Sequence, residues 1–166
     1  KDVLLAMQPV GSNISRLFEL IKKYPDCKFS TIVDSEIIID NVDLHASKNK
    51  TSLSVFLDVN NGMNRTGVTP DNKAIDLYMK IESKKSLIAN GLHVYDGHIR
   101  HSNFDLRKNE CDKDFKKVEK LIKNLKNLNL QVKNVVAGGT PTFPIHSSRK
   151  NVQVSPGTSL LWDDRY

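Results

Sequence analysis

No apolar run in this chain approaches the roughly 20 residues that a membrane-crossing helix needs, so no membrane partner is expected. Cysteine is scarce. Cys27 and Cys111 are the only two, and residues so far apart make neither a disulfide framework nor a metal-ligand cluster. A reducing, cytoplasmic setting is the expectation. Zinc-type spacing is missing, and no His-x-Asp or His-x-Cys pair occurs anywhere, so no metal ligands are expected in the chain. A nucleophile elbow of the Gly-x-Ser-x-Gly type is missing too.

What is present is ordinary globular material. The 166 residues are 39% hydrophobic and 27% charged, which suits one domain with a substantial core. The net charge is +6, and a basic chain invites the thought of an anionic polymer. Six lysines argue otherwise. Lys113, Lys116, Lys117, Lys120, Lys123 and Lys126 share the polar side of one helical pattern, opposite Phe115, Val118, Leu121, Ile122 and Leu125. No aromatic residues interleave to stack bases. The lysines read as a solvated face, and nucleic acid is not expected as a partner.

Short apolar runs alternate with amphipathic stretches along the chain. Strands are expected over 3–7, 29–33, 53–59, 87–95, 132–137 and 152–154, with one more over 159–162. Between them, Ile14, Leu17, Phe18, Ile21 and Tyr24 mark a helical face that Ser12 or Asn13 can cap. Ala74, Leu77, Tyr78 and Ile81 mark another, with Thr69-Pro70 as its start. The lysine-rich helix is expected from about 112 to 128, after an irregular polar stretch. Ile37, Ile38 and Ile39 favour a strand locally, but strand–helix alternation calls for a helix over 36–50.

Strand, helix, strand, helix, with no hairpin signal, predicts an α/β fold with a parallel sheet. The closed form is a TIM-type (β/α)8 barrel of about 250 residues. About six β/α units are counted here. The chain opens inside a core strand, so it is expected to be a fragment, with two strands before Lys1. No linker or repeat divides it, and residues 1–166 read as one partial barrel domain.

In such a barrel, chemistry gathers where the strands end. Gly138-Gly139-Thr140 offers backbone N–H groups and a hydroxyl suited to an anion such as phosphate. Ser155-Pro156-Gly157-Thr158 repeats the offer after the next strand. One such loop reads as a turn; two at consecutive strand ends make phosphate as good a reading. In Asn61-Gly62-Met63-Asn64-Arg65-Thr66-Gly67 an arginine sits between glycines, where its fork can meet a ligand oxygen. Asp58 can partner that arginine or merely end its strand. Tyr95-Asp96-Gly97-His98 brings a tyrosine that can bond or stack on a heterocycle. It also brings a histidine that is either a proton carrier or a structural loop residue. His93, His101 and His146 have no partner spacing and read as structural or exposed.

Taken together and in order, these four motifs resemble the fold-type III pyridoxal-phosphate enzymes, the alanine-racemase-like barrels. Within that family they are most similar to the D-threonine aldolase and D-serine dehydratase group. The resemblance implies that Arg65 approaches the cofactor's phenolic oxygen and that Tyr95 contacts its pyridine ring. It implies that Gly139, Thr140, Gly157 and Thr158 hold the phosphate. Pyridoxal 5'-phosphate is then the expected cofactor, a D-amino acid the expected substrate, and a homodimer the expected full-length assembly. The family's Schiff-base lysine sits at the end of the first barrel strand, which would precede Lys1; Lys28 and Lys50 do not replace it. The family's metal ligands lie in a C-terminal β domain, so a divalent metal is compatible with the full-length protein but not with this chain alone. The chain by itself is expected to be inactive. Aldol cleavage is the first expectation; dehydration or racemisation, a non-catalytic cofactor carrier, and a barrel enzyme for another phosphorylated ligand are the alternatives.

Overall fold

In the computed structural model, residues 1–159 and 161 are described. Six strands lie side by side in chain order, every pair parallel: β1 (Asp2–Leu5), β2 (Lys28–Val33), β3 (Leu53–Asp58), β4 (Leu87–Val94), β5 (Asn134–Ala137) and β6 (Val152–Val154). Helices α1 (Ser12–Lys23), α2 (Glu36–Lys48), α3 (Asn72–Glu82), α4 (Phe104–Asn127) and the short α5 (Phe143–His146) form the crossovers. Parallel neighbours need such crossovers, and their sequential order is that of the TIM-type barrel. The last expected strand, over 159–162, includes residues 160 and 162, which lie outside the described residues.

The period-two alternation of each strand sorts its side chains onto two faces. Val55 and Leu57 of β3 and Leu92 and Val94 of β4 point outward, into the main core beneath the helices. There they meet Leu17 and Phe18 of α1, Val42 of α2, Tyr78 of α3 and Val118 of α4. On the inner face Ile32, Phe56 and Val136 make a smaller cluster with Leu4. The two faces explain why the strands read as nearly continuous apolar runs.

Helix α2 resolves the ambiguous segment. Ser35 caps it, its hydroxyl accepting from Ile38 N at 3.4 Å. Of the three isoleucines only Ile39 is buried, while Ile37 is 72% exposed, as a helical period demands. Other helix starts differ from expectation. Gly11, not Ser12 or Asn13, is the N-cap of α1, and no side chain caps it. Helix α3 starts after Asp71, whose carboxylate accepts from Lys73 N at 2.9 Å and from the Thr69 hydroxyl at 2.5 Å. Thr69 therefore braces the cap instead of being it. Helix α4 begins eight residues earlier than expected, at an Asn103 cap accepting from Leu106 N at 3.0 Å. Its first turns are polar outside, with Phe104 and Leu106 exposed, so the apolar period there is faint. The six lysines of its outer side are all exposed. No helix among the described residues is long and apolar enough to cross a membrane.

Candidate active site at the strand ends

The loops after β1 to β6 meet at one rim, and hydrogen bonds tie neighbours together. Asp34, after β2, receives a bond from Gly67 N at 2.9 Å, and its own N–H donates to Gln8 Oε1 at 2.7 Å. The arginine loop closes on itself through Asn60 N to Val68 O and Val68 N to Asp58 O. Asn60 Oδ1 also accepts from Gly62 N and Asn64 N. Arg65 is thus carried on a braced loop, and its guanidinium lies over the Tyr95 ring, 4.7 Å from the centroid, within cation–π range.

Tyr95 is held from the other side by glycines. A Cβ on Gly97 would stand 2.2 Å from the Tyr95 hydroxyl oxygen, and one on Gly139 3.2 Å from its Cε2. Only glycine lets the backbone come this near the ring.

A cavity of about 250 Å³ opens at this rim, lined by Arg65, Tyr95, Thr140, Gly157 and Thr158, with His93 below. The two late loops are linked across it. The Thr140 and Thr158 hydroxyl oxygens are 2.9 Å apart, and Thr158 N donates to Thr140 Oγ1 at 3.0 Å. Two hydroxyls carry two protons and the link uses one, so the pair keeps a donor for a ligand. Gly157 has open space around its Cα. A larger cavity of about 450 Å³ continues inward along the concave face of the sheet. Among the described residues no lysine lines either cavity.

The structure corrects the expectation of free N–H groups at two residues of the Gly138-Gly139-Thr140 turn, Gly138 and Gly139. Gly138 N donates to Val94 O at 3.1 Å. Gly139 N donates to Asp96 Oδ1 at 2.8 Å and to Thr142 Oγ1 at 3.0 Å. Gly139 does not line the rim cavity; its place is behind Tyr95. The hydroxyl of Thr140, by contrast, faces the cavity.

That correction exposes a network which the sequence reading missed. Asp96, 1% exposed, accepts from Gly139 N and from the Thr142 hydroxyl at 2.5 Å through Oδ1. Its Oδ2 meets His146 Nε2 at 2.8 Å and the Cys111 thiol at 3.7 Å. Arg149 Nε donates to His146 Nδ1 at 3.2 Å and its Nη2 to Asp112. An arginine can only donate, so the His146 proton sits on Nε2 and points at Asp96. Burial alone would raise the Asp96 carboxyl, but His146, Thr142 and Gly139 outweigh it and hold it below the usual value. Burial and the Asp96 charge push the Cys111 thiol up to about 12.

The remaining histidines also have partners. His93 Nδ1 meets Asp58 Oδ1 at 2.7 Å, both residues buried, so Asp58 serves His93 and not Arg65. His98 Nε2 stands 3.3 Å from Asp114, and His101 Nε2 2.6 Å from Glu110. Among the described residues two groups bring potential metal ligands near one another: Asp96 with Cys111 and His146, and His98 with Glu110 and Asp114. Hydrogen bonds and ion pairs account for both. The sequence signal for these pairs was only the residue types, since partners lie 9 to 50 positions apart.

Known proteins share the architecture that carries this rim cavity. Residues 14–164 match the alanine racemase N-terminal domain. The chain belongs to that family. It is 26% identical over 150 residues to 3-hydroxy-D-aspartate aldolase of Paracoccus denitrificans, covering 89% of this chain and 38% of that protein. It superposes on D-threonine aldolase from Filomicrobium marinum with a TM-score of 0.85 at 25% identity, over 95% of this chain and 43% of that one. D-threo-3-hydroxyaspartate dehydratase from Delftia sp. HT23 shares the fold, with a TM-score of 0.78 at 16% identity over 91% of this chain and 40% of that one. The chain thus spans about two fifths of the length of these relatives. The resemblance read from the four motifs, and the TIM-type architecture that it implies, both hold.

Proposed function

We propose that this chain is the cofactor-holding barrel of a pyridoxal-phosphate-dependent lyase that cleaves a D-3-hydroxy amino acid to glycine and an aldehyde. One observation carries the reading: Arg65, Tyr95, Thr140, Gly157 and Thr158, from four separate stretches of sequence, converge on one cavity. The donor set fits the cofactor. A guanidinium, a hydroxyl pair with a donor to spare and an open glycine suit an anionic ligand, and the Tyr95 face suits a planar ring. The aldolases among the similar proteins support the reaction type.

In this reading pyridoxal phosphate, when bound, supplies the electron sink. Thr140 and Thr158 hold the phosphate, Gly157 lets it approach the backbone, and Arg65 and Tyr95 fix the ring's orientation and exclude water from one side. The Asp96 network does not touch the ligand; it keeps Thr140 in place through Gly139 and Thr142. The substrate is a small D-amino acid, and a homodimer in solution remains part of the proposal.

Incubating the full-length protein with D-threonine, D-serine and 3-hydroxy-D-aspartate, with and without a divalent metal, tests it. Glycine plus an aldehyde from a 3-hydroxy substrate supports the aldolase. Ammonia with a 2-oxo acid replaces it by a dehydratase, and loss of stereochemical purity alone replaces it by a racemase. Cofactor absorbance without turnover leaves a carrier.

A further inference from the structure

His93, in β4, and Tyr95, the residue that follows the strand, both line the inner side, since Leu92 and Val94 beside and between them face the outer core. His93 therefore sits one step below Tyr95 on the barrel wall, and it lines both the rim cavity and the deeper one. The inner wall around His93 is mixed, with apolar Phe56 and Val136 beside polar Ser30, Asn90 and Asn134. The His93 ring is fixed. Asp58 stands opposite it in the ladder, and Asp58 Oδ1 lies 2.7 Å from Nδ1. A carboxylate can only accept, so Nδ1 carries a proton and donates it. Among the described residues Nε2 has no hydrogen-bond partner, although the ring is 6% exposed. That small exposed area is turned to the two cavities.

We propose that the Asp58–His93 pair is a ligand-positioning pair at the floor of the site. Asp58 fixes the tautomer, and Nε2 of His93 offers its lone pair to an N–H or O–H donor on the bound cofactor ring. A carboxylate that accepts a hydrogen bond from one ring nitrogen orients the imidazole and fixes the state of the other nitrogen. The inference rests on the cofactor reading above and adds a contact that the four sequence motifs do not contain. An apolar residue would fill the wall equally well; the buried carboxylate is needed only where the ring must present one nitrogen in one state.

The test is nitrogen-15 spectroscopy of histidine-labelled full-length protein, without and with pyridoxal phosphate, with His93 assigned from His93→Gln. The expected result is a protonated Nδ1 and a bare Nε2 in the free protein, and a shift of Nε2 toward the hydrogen-bonded range on cofactor binding. Asp58→Asn and His93→Leu are expected to weaken cofactor binding by about threefold to tenfold, the span of one neutral hydrogen bond. His93→Gln, which keeps an amide near the Nε2 position, is expected to recover part of it. Cofactor binding with an unmoved Nε2 overturns the inference and leaves the cofactor reading intact. A protonated Nε2 in the free protein also overturns it. Absence of any cofactor binding removes both. If His93→Gln fails to fold, sequential backbone assignment identifies His93, and the wild-type spectra still decide.

Discussion

The carboxylate of Asp96 and the imidazole of His146 stand 2.8 Å apart in the interior, although fifty residues separate them in the chain. Asp96 immediately follows Tyr95, and its other oxygen holds Gly139 and Thr142. The same carboxylate therefore clamps the loop after β4 to the loop after β5. Position at the rim is set by this buried group more than by either loop's own turn.

Replacing Asp96 by asparagine keeps the volume but removes the charge and turns one acceptor into a donor facing other donors. A loss of about 2–4 kcal/mol is expected, read from the urea midpoint of the full-length protein. The pH dependence has a definite sign. The folded Asp96 carboxyl lies below its unfolded value, so its stabilisation is present above an unfolded pKa of about 3.9. It is lost as pH falls through the folded value. The gap between wild type and Asp96→Asn should narrow below about pH 4 and stay constant from pH 5 to 7. A gap that widens in acid contradicts the assignment.

Cys111 and Cys27 should differ in reactivity. The Cys111 thiol, buried beside Asp96, is pushed up to about 12, and the thiolate is the reactive form. Cys27 is partly exposed. Between these two, a thiol reagent at pH 8 should label Cys27 rapidly in the native protein, and Cys111 only after denaturant is added. Labelling of Cys111 at a similar rate in the native state would mean that the Asp96 pocket opens readily.

Much of the fold was legible because its strands and most helices carry a period. Leu17, Phe18 and Ile21 repeat at helical spacing, and all pack into the main core. The start of α4 was not legible, because Phe104 and Leu106 face solvent and the polar turn after them, Arg107 to Glu110, carries no apolar stripe. The rim residues Arg65, Tyr95, Thr140, Gly157 and Thr158 were legible as motifs at strand ends, and they do meet. The Asp96 and Asp58 pairs were not, because a hydrogen bond between residues 35 or 50 apart leaves no local pattern. Gly139 shows the limit from the other side: its residue type signals close approach, but not whether a ligand or a tyrosine does the approaching.

The cap of α3 offers a test of local structure away from the rim. Asp71 accepts from Lys73 N, and Thr69 donates to it. That Thr69 bond is the chief reason its carboxyl lies below the usual value. Asp71→Ala should cost about 1 kcal/mol, and Thr69→Val less, since Thr69 acts through Asp71. A thermal melt that ranks them in the opposite order would make Thr69 the true cap.

Gly97 separates the ring-positioning role of the loop from its folding role. The backbone there is free of left-handed φ, so alanine adds no torsional strain. Its Cβ would meet the Tyr95 hydroxyl oxygen at 2.2 Å and Cζ at 2.4 Å. The ring must move away from Gly97, out of its present place beneath Arg65. Gly97→Ala should therefore weaken cofactor binding about tenfold or more while costing about 1–3 kcal/mol of stability, the usual range for overpacking. Tyr95→Phe keeps the ring beneath Arg65 and relieves part of the clash, so the double variant should regain affinity relative to Gly97→Ala alone. Cofactor titration followed by visible absorbance, with denaturation curves on the same samples, reads both quantities. If Gly97→Ala lowers stability but leaves cofactor affinity unchanged, the Tyr95 ring is a packing element and does not position the ligand.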